Sequence, residues 1–78
     1  MASKTDLQDW VLTALGELDG KAKLVDVARI IWRDHEHELR SSGDLFYTWQ
    51  YDMRWASQAL QDQGRLDKGG GFWTLRNL

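Results

Sequence analysis

The feature that most constrains the fold is the segment GRLDKGGGFWTL, residues 64–75, which places three consecutive glycines beside a tryptophan. Two short runs typical of β-strands, 65–67 and 72–75, flank Lys68 and these glycines. Because glycine tolerates the positive φ angles of tight turns, the pattern predicts a β-hairpin over residues 65–76. The glycines are compatible both with a plain turn and with a tip that approaches another molecule closely. They precede a strand without a GxxxxGK[ST] pattern, so a phosphate-binding nucleotide loop is not indicated.

The remainder of the chain must build its core from apolar side chains alone. The 78 residues are 42% hydrophobic, with five tryptophans and no cysteine. This predicts one domain over residues 1–78, with neither a disulfide framework nor a thiolate metal site. No apolar run approaches the roughly 20 residues of a membrane span, and the N-terminal MASKTDLQDW lacks the apolar segment of a signal peptide. We therefore expect a cytoplasmic protein without membrane association.

Three segments repeat apolar residues at the spacing of three and four that marks one face of a helix. They predict helices over residues 5–19, 25–39 and 48–63. Thr5 and Gln8 form a capping-box pattern at the start of the first helix, and Thr48 is a candidate cap for the third. Gly64 occupies the position that commonly ends a helix.

The connections between the helices are short. The segment RSSGD, residues 40–44, predicts a loop, and Ala22 with Lys23 predicts a brief extended segment before the second helix. The order helix, helix, helix, hairpin is that of a winged helix-turn-helix. The expected fold class is α+β, mainly α, with a three-helix core and a two-stranded C-terminal hairpin as the wing.

The C-terminal half also resembles a known family. The run WQYDMRWASQALQDQGRLDKGGGFWTL, residues 49–75, resembles the N-terminal winged-helix domain of Mrr-type restriction endonucleases. The residues that carry the resemblance are Trp55, Ala56, Leu60, Gly64, Leu66, Trp73 and Leu75. The first two helices match only in length and apolar pattern. The resemblance implies a DNA-binding or DNA-targeting module, used in transcriptional regulation or to direct a larger protein, and not a nuclease, whose catalytic domain is a separate unit.

Candidate DNA-contacting residues follow from this architecture, in which the third helix commonly enters the major groove. Side chains expected on its outward face are Gln50, Tyr51, Arg54, Ser57, Gln58 and Gln61. Arginine and glutamine are suited to hydrogen bonding with base edges. Basic residues of the wing and of the extended segment are expected to contact phosphate, and these are Arg65, Lys68, Arg76, Lys21 and Lys23.

The overall charge opposes strong nucleic-acid binding. The formal net charge is −2, whereas neutralisation of phosphate normally requires an excess of Lys and Arg. Residues 1–39 contain five basic and eight acidic side chains, and residues 40–78 contain five basic and four acidic ones. The half with the wing is thus less acidic, and we expect weak affinity for double-stranded DNA at physiological salt unless the domain dimerises or is tethered.

A second class of function is a winged helix that binds protein and not DNA. The acidic first and second helices, or the neighbourhood of Trp49 and Tyr51, would then meet a partner or a second copy of the chain. Winged helices serve both purposes, so the fold does not decide. Core packing is expected for the other tryptophans, Trp10, Trp32, Trp55 and Trp73.

No catalytic, cofactor or metal site is indicated. His35 and His37 lie two residues apart on a predicted helix, which projects them about 200° apart and prevents them from easily sharing one ion. His35 is expected to pack partly against the core. Without a cysteine, or a serine with a plausible neighbouring base, nucleophilic catalysis is not expected.

Overall fold

The computed structural model describes residues 2–76 and contains three helices and three short strands. In chain order they are α1 (Asp6–Glu17), β1 (Lys21–Lys23), α2 (Leu24–Arg40), α3 (Leu45–Asp62), β2 (Leu66–Gly69) and β3 (Phe72–Leu75). The predicted fold class is confirmed: the protein is a mainly helical α+β structure with the layout of a winged helix, and its C-terminal strands form a hairpin.

The first helix ends at Glu17, before the end at residue 19 that the sequence pattern predicted. Asp19 and Gly20 have φ angles of 64° and 86°, and this left-handed pair turns the chain into β1. The predicted capping box is wrong, because the Thr5 side chain forms no cap hydrogen bond. Instead, the carboxylate of Asp6 accepts a hydrogen bond of 2.9 Å from the backbone N–H of Ser3.

The third helix begins at Leu45 and not near residue 48. Leu45 is buried, and its backbone N–H already bonds to the carbonyl of Ser42, so the chain is helical directly after the turn. Thr48 is consequently inside the helix and the prediction that it caps α3 is wrong; its hydroxyl donates a 2.6 Å hydrogen bond to the carboxylate of Asp52. The predicted end is confirmed by Gly64, which has a φ of 75°.

The sheet has one strand more than the predicted wing. The strand order is β1-β3-β2, with antiparallel pairing throughout. Ala22 lies opposite Trp73 on one side of β3, and Lys68 lies opposite Trp73 on the other. The extended segment predicted near Ala22 therefore joins the predicted two-stranded hairpin as a third strand.

The core lies between the three helices and one face of the sheet. Its buried apolar side chains are Leu7, Val11, Ala14, Leu15, Ala22, Val27, Ile31, Leu39, Leu45, Trp49, Met53, Ala56, Leu60, Leu66 and Trp73. Trp10 and Trp32 are half-buried against it. The ring of Trp10 stacks on His35 with centroids 3.8 Å apart, which confirms the partial packing expected of that histidine.

For the two tryptophans of α3, the observed burial is the reverse of what the sequence suggested. Trp49 is only 6% exposed and stacks on Trp32, with ring centroids 5.9 Å apart. Trp55 is 60% exposed, so the prediction that it packs in the core is wrong. Each residue turns a helix by about 100°, and this step carries Trp55 out of the interface that its buried neighbour Ala56 still occupies.

Within residues 2–76, the helices are too short or too polar for any of them to span a lipid bilayer.

Candidate nucleic-acid interface

The outward face of α3 presents four of the six side chains that the sequence assigned to it. Gln50, Tyr51, Arg54 and Gln58 are all exposed. They follow one another at spacings of one, three and four residues, which keeps them on one side of the helix. Gln61 lies one turn beyond Gln58 and is half-buried.

Ser57 does not belong to this face. Its side chain is 0% exposed, and its hydroxyl donates a 2.6 Å hydrogen bond to the backbone carbonyl of Arg54. The expectation that Ser57 contacts DNA is therefore wrong. Its position is on the flank of α3 that turns into the protein, where a small side chain can bond to the preceding turn.

We expect Ser57→Ala to leave duplex affinity unchanged and to alter the free energy of unfolding by less than about 1.5 kcal/mol, the usual net value of one hydrogen bond. The variant removes a hydroxyl that DNA cannot reach, while the backbone of α3 remains intact. Fluorescence anisotropy with a labelled duplex and urea unfolding measure the two quantities. Gln58→Ala is the matched comparison on the exposed side, and a larger affinity loss for Ser57→Ala than for Gln58→Ala would place the interface elsewhere.

Lys68 approaches α3 from the wing. Side chains alternate between the two faces of a strand, and the row Ala22, Trp73, Lys68 contains two buried residues, so this row lies on the face toward the helices. The ammonium group of Lys68 sits 5.7 Å from the ring centroid of Trp73. The lysine stem thus covers the buried indole while its charge remains in solvent.

Arg54 lies where α3 and the wing meet. One groove of about 240 Å³ is lined by Tyr51, Arg54, Trp55, Gln58 and Lys68. A second, of about 460 Å³, runs along the hairpin and is lined by Leu24, Arg54, Lys68, Gly69, Gly71, Phe72 and Trp73. Arg54 and Lys68 border both grooves. Among the side chains of residues 2–76, no carboxylate lines either one, so both grooves carry positive charge.

The other predicted phosphate contacts do not themselves line these grooves. Lys21 and Lys23 are on the opposite face of the sheet, where their ammonium groups sit 4.9 and 5.9 Å from the ring centroid of Phe72. Arg65 and Arg76 are at the base of the hairpin, far from its turn along the strands. Arg76 is also engaged by Asp67 at 3.6 Å. The structure therefore brings together only part of the predicted set.

Ion pairing separates the basic side chains into two groups. Those that pair with a carboxylate are Lys4, Arg29, Arg33, Arg40 and Arg76. Those that form no ion pair with any carboxylate of residues 2–76 are Lys21, Lys23, Arg54, Arg65 and Lys68. The second group lies entirely on α3, on the hairpin and its entry, and on the strand that pairs with the hairpin. The uncompensated positive charge is thus concentrated at the wing although the chain is acidic.

Among the ion-paired basic residues, Arg33 of α2 forms a tight cluster with two carboxylates, one on α1 and one on α2. The guanidinium of Arg33 donates hydrogen bonds to Asp34 at 2.8 Å and to Glu17 at 2.7 Å. The hydrogen bond from Arg33 holds the pKa of the Asp34 carboxyl below its ordinary value. The charge of Arg33 is therefore already committed to acidic side chains of the protein itself.

The exposed face of α3 also carries three aromatic side chains, and sequence reasoning missed two of them. Tyr47, Tyr51 and Trp55 are 84%, 63% and 60% exposed. Of Trp49 and Tyr51, the two residues suggested as a partner surface, only Tyr51 is exposed, and its exposed aromatic neighbour is Trp55 because Trp49 is buried. The signal in the sequence is the spacing of four residues between the three aromatics, which places them in one row along the helix.

A buried acid lies beside this row. Asp52 is 6% exposed, and its carboxylate accepts the hydroxyl of Thr48 and lies 3.7 Å from the ammonium group of Lys4. These contacts compensate its charge and account for its burial. Among residues 2–76, no group of three or more His, Cys, Asp or Glu side chains is placed to hold a metal ion.

Comparisons of the chain with protein-family models, with curated proteins and with solved structures find no match.

Proposed function

We propose that the protein is a small winged-helix DNA-binding module in which the exposed face of α3 enters the major groove and the wing contacts the phosphate backbone. The observation that carries the proposal is the placement of the basic side chains without ion pairs, which gather on α3 and around the hairpin. Such side chains attract phosphate without first losing a carboxylate partner. The resemblance of residues 49–75 to the Mrr-type N-terminal domain implies the same function.

Each part of the interface has a chemical role in this proposal. Arg54, Gln50 and Gln58 provide the planar hydrogen-bonding groups that recognise base edges. Lys68 provides a point charge for phosphate at the edge of the same groove. The turn that follows it contains Gly70 and Gly71, with φ angles of 60° and 81°, so no side chain separates the hairpin tip from the DNA backbone.

The proposed module has no catalytic role and acts in the cytoplasm, in transcriptional regulation or in targeting a larger protein to DNA. Its affinity is expected to be modest, because few phosphates are neutralised and the net charge of −2 repels DNA at long range. A dimer, or a second DNA-binding unit joined to the same chain, would raise it.

The double variant Arg54→Ala, Lys68→Ala tests the proposal. We expect the variant to bind a labelled mixed-sequence duplex at least tenfold more weakly at low salt, because each good Arg contact to a base is worth about 1–3 kcal/mol. The slope of log K against log salt should fall by about 1, since Lys68 is the phosphate contact that is lost and each such contact contributes close to one unit. Fluorescence anisotropy over a range of salt concentrations measures both.

The matched control is Arg29→Ala, Arg33→Ala, which removes the same two charges from side chains that already form ion pairs on α2. The affinity of this control for the duplex should fall only slightly, because its more negative net charge repels DNA at long range. Equal losses for the two double variants would mean that overall charge, and not the surface at Arg54 and Lys68, governs binding. Absence of duplex binding by the unmodified protein at low salt would refute the proposal.

The second candidate is a protein-interaction module, and the observation that favours it is the exposed aromatic row of Tyr47, Tyr51 and Trp55. Contiguous exposed apolar side chains commonly mark a partner surface. This function does not require the protein to bind a duplex. The duplex titration therefore separates the two candidates.

A further inference from the structure

Tyr51 and Trp55 form an exposed pair on the face proposed to meet DNA. Their ring centroids are 6.2 Å apart, and the ring planes are inclined by 70° in an edge-to-face arrangement. More than half of each side chain remains open to solvent. Burial would stabilise such large aromatic side chains, so their exposure is unexplained by the fold itself.

The surroundings of this pair are cationic on the side toward Arg54 and Lys68, whereas Asp52 lies on the other side. The groove of about 240 Å³ that the two rings line is completed by Arg54, Gln58 and Lys68, without a carboxylate from residues 2–76. Aromatic faces beside basic side chains are the combination with which proteins hold unpaired nucleotides, the base stacking on the ring and the phosphate meeting the cation. A duplex needs only the cations and the hydrogen-bonding side chains.

The spacing of the rings argues for an unpaired base. Four residues of α-helix rise by about 6 Å, whereas stacked bases of one duplex strand are about 3.4 Å apart. Tyr51 and Trp55 therefore cannot each stack on successive bases of an intact duplex, whose faces are in any case covered by their neighbours. An unstacked nucleotide exposes a free face and can reach a ring on either turn.

We infer that Tyr51 and Trp55 form a stacking site for an unpaired base, so that the protein prefers DNA in which a duplex adjoins a single-stranded segment. The inference rests on the proposed function and specifies its substrate. Lys68 holds the backbone of the duplex next to the junction while Arg54 meets its base edges, and the first unpaired base stacks on the exposed ring of Trp55.

Three labelled DNAs of shared sequence test this inference: a blunt duplex, the same duplex with a single-stranded extension, and the isolated strand. The duplex with the extension should bind most tightly. Trp55→Ala should weaken that complex by roughly 5- to 150-fold, the equivalent of 1–3 kcal/mol for one stacked base, and weaken the blunt-duplex complex much less. Because Trp55 is exposed, the variant keeps its fold, which circular dichroism verifies.

Two further variants sharpen the result. Trp55→Phe retains an aromatic face and should keep most of the preference for the extended duplex. Tyr47→Ala removes a side chain of still greater exposure that lies outside the groove, and it should have no effect on any of the three DNAs. Arg54→Ala, Lys68→Ala should weaken the blunt and the extended duplex together.

The outcomes separate this inference from the proposal beneath it. Equal affinity for blunt and extended duplex, or an equal loss on both with Trp55→Ala, overturns the stacking site and leaves DNA binding standing. Failure to bind any of the three DNAs overturns both. A protein that sediments as a dimer and becomes monomeric with Trp55→Ala would assign the aromatic pair to self-association and also overturn the stacking site.

Discussion

Replacing Trp49 by alanine is expected to lower the free energy of unfolding by about 3–5 kcal/mol, the usual cost of truncating a buried aromatic side chain. Trp49 is 6% exposed and stacks on Trp32, so its loss leaves a cavity between α2 and α3. In a domain of this size each kcal/mol shifts the midpoint of thermal unfolding by roughly 4–8 °C. The variant should therefore melt tens of degrees lower. Urea and thermal unfolding followed by far-ultraviolet circular dichroism measure the change.

Trp55→Ala is the control, since it removes the same side chain from the same helix. Trp55 is 60% exposed, and a surface substitution of this kind should change the free energy of unfolding by no more than about 0.5 kcal/mol. The two tryptophans should thus differ by several kcal/mol. Similar losses for both would contradict the assignment of one to the core and the other to the surface.

Trp73→Ala is also expected to lower the free energy of unfolding by about 3–5 kcal/mol. Trp73 is 6% exposed and lies in the central strand, between Ala22 on β1 and Lys68 on β2. Its indole is the largest side chain that the sheet contributes to the core. Without it the sheet loses much of its attachment to the helices, and the thermal midpoint should fall by tens of degrees in the same measurement.

Thr74→Ala provides the comparison on the opposite face of the same strand. Thr74 pairs with Lys21 and Asp67, on the side of the sheet that faces away from the helices. Thr74→Ala should lower the free energy of unfolding by about 1 kcal/mol or less, which is the range over which residue types differ in their preference for strands. If Trp73→Ala were as mild as Thr74→Ala, the packing of the sheet on the helices through this residue would be disproved.

The helices and the hairpin were predictable because each has a strong local signal. Apolar periodicity marked three long helices, and consecutive glycines marked the turn between Lys68 and Phe72. The strand at Lys21–Lys23 was predicted only as an extended segment, since three residues are too few to show alternation and its partner is distant in sequence. The start of α3 depended on the local turn at Ser42, where backbone hydrogen bonds overrode the candidate cap at Thr48.

The candidate site was less predictable than the fold. Arg54 and Lys68 were both expected at the interface, but their convergence on one groove depends on how the hairpin leans toward α3. The errors at Ser57 and Trp55 have one cause. The apolar periodicity of a helix shows which side is buried, but it does not show how wide the buried face is. Ion pairing is also invisible in a sequence: nothing in the pattern distinguishes Arg33, bound by Glu17, from Arg54.

The central position of β3 determines the order in which the structure can assemble. Its two neighbours never pair with each other, so neither has a strand to bond to until Phe72–Leu75 arrives. The pairing of Ala22 with Trp73 joins positions about fifty residues apart, and long-range pairing of this kind is slow because a large loop must close first. The helices can begin to associate earlier through nearer contacts. The β2–β3 hairpin can form locally, but the sheet is complete only when β1 pairs with β3, and Lys21 and Lys23 join the positive surface only at that step.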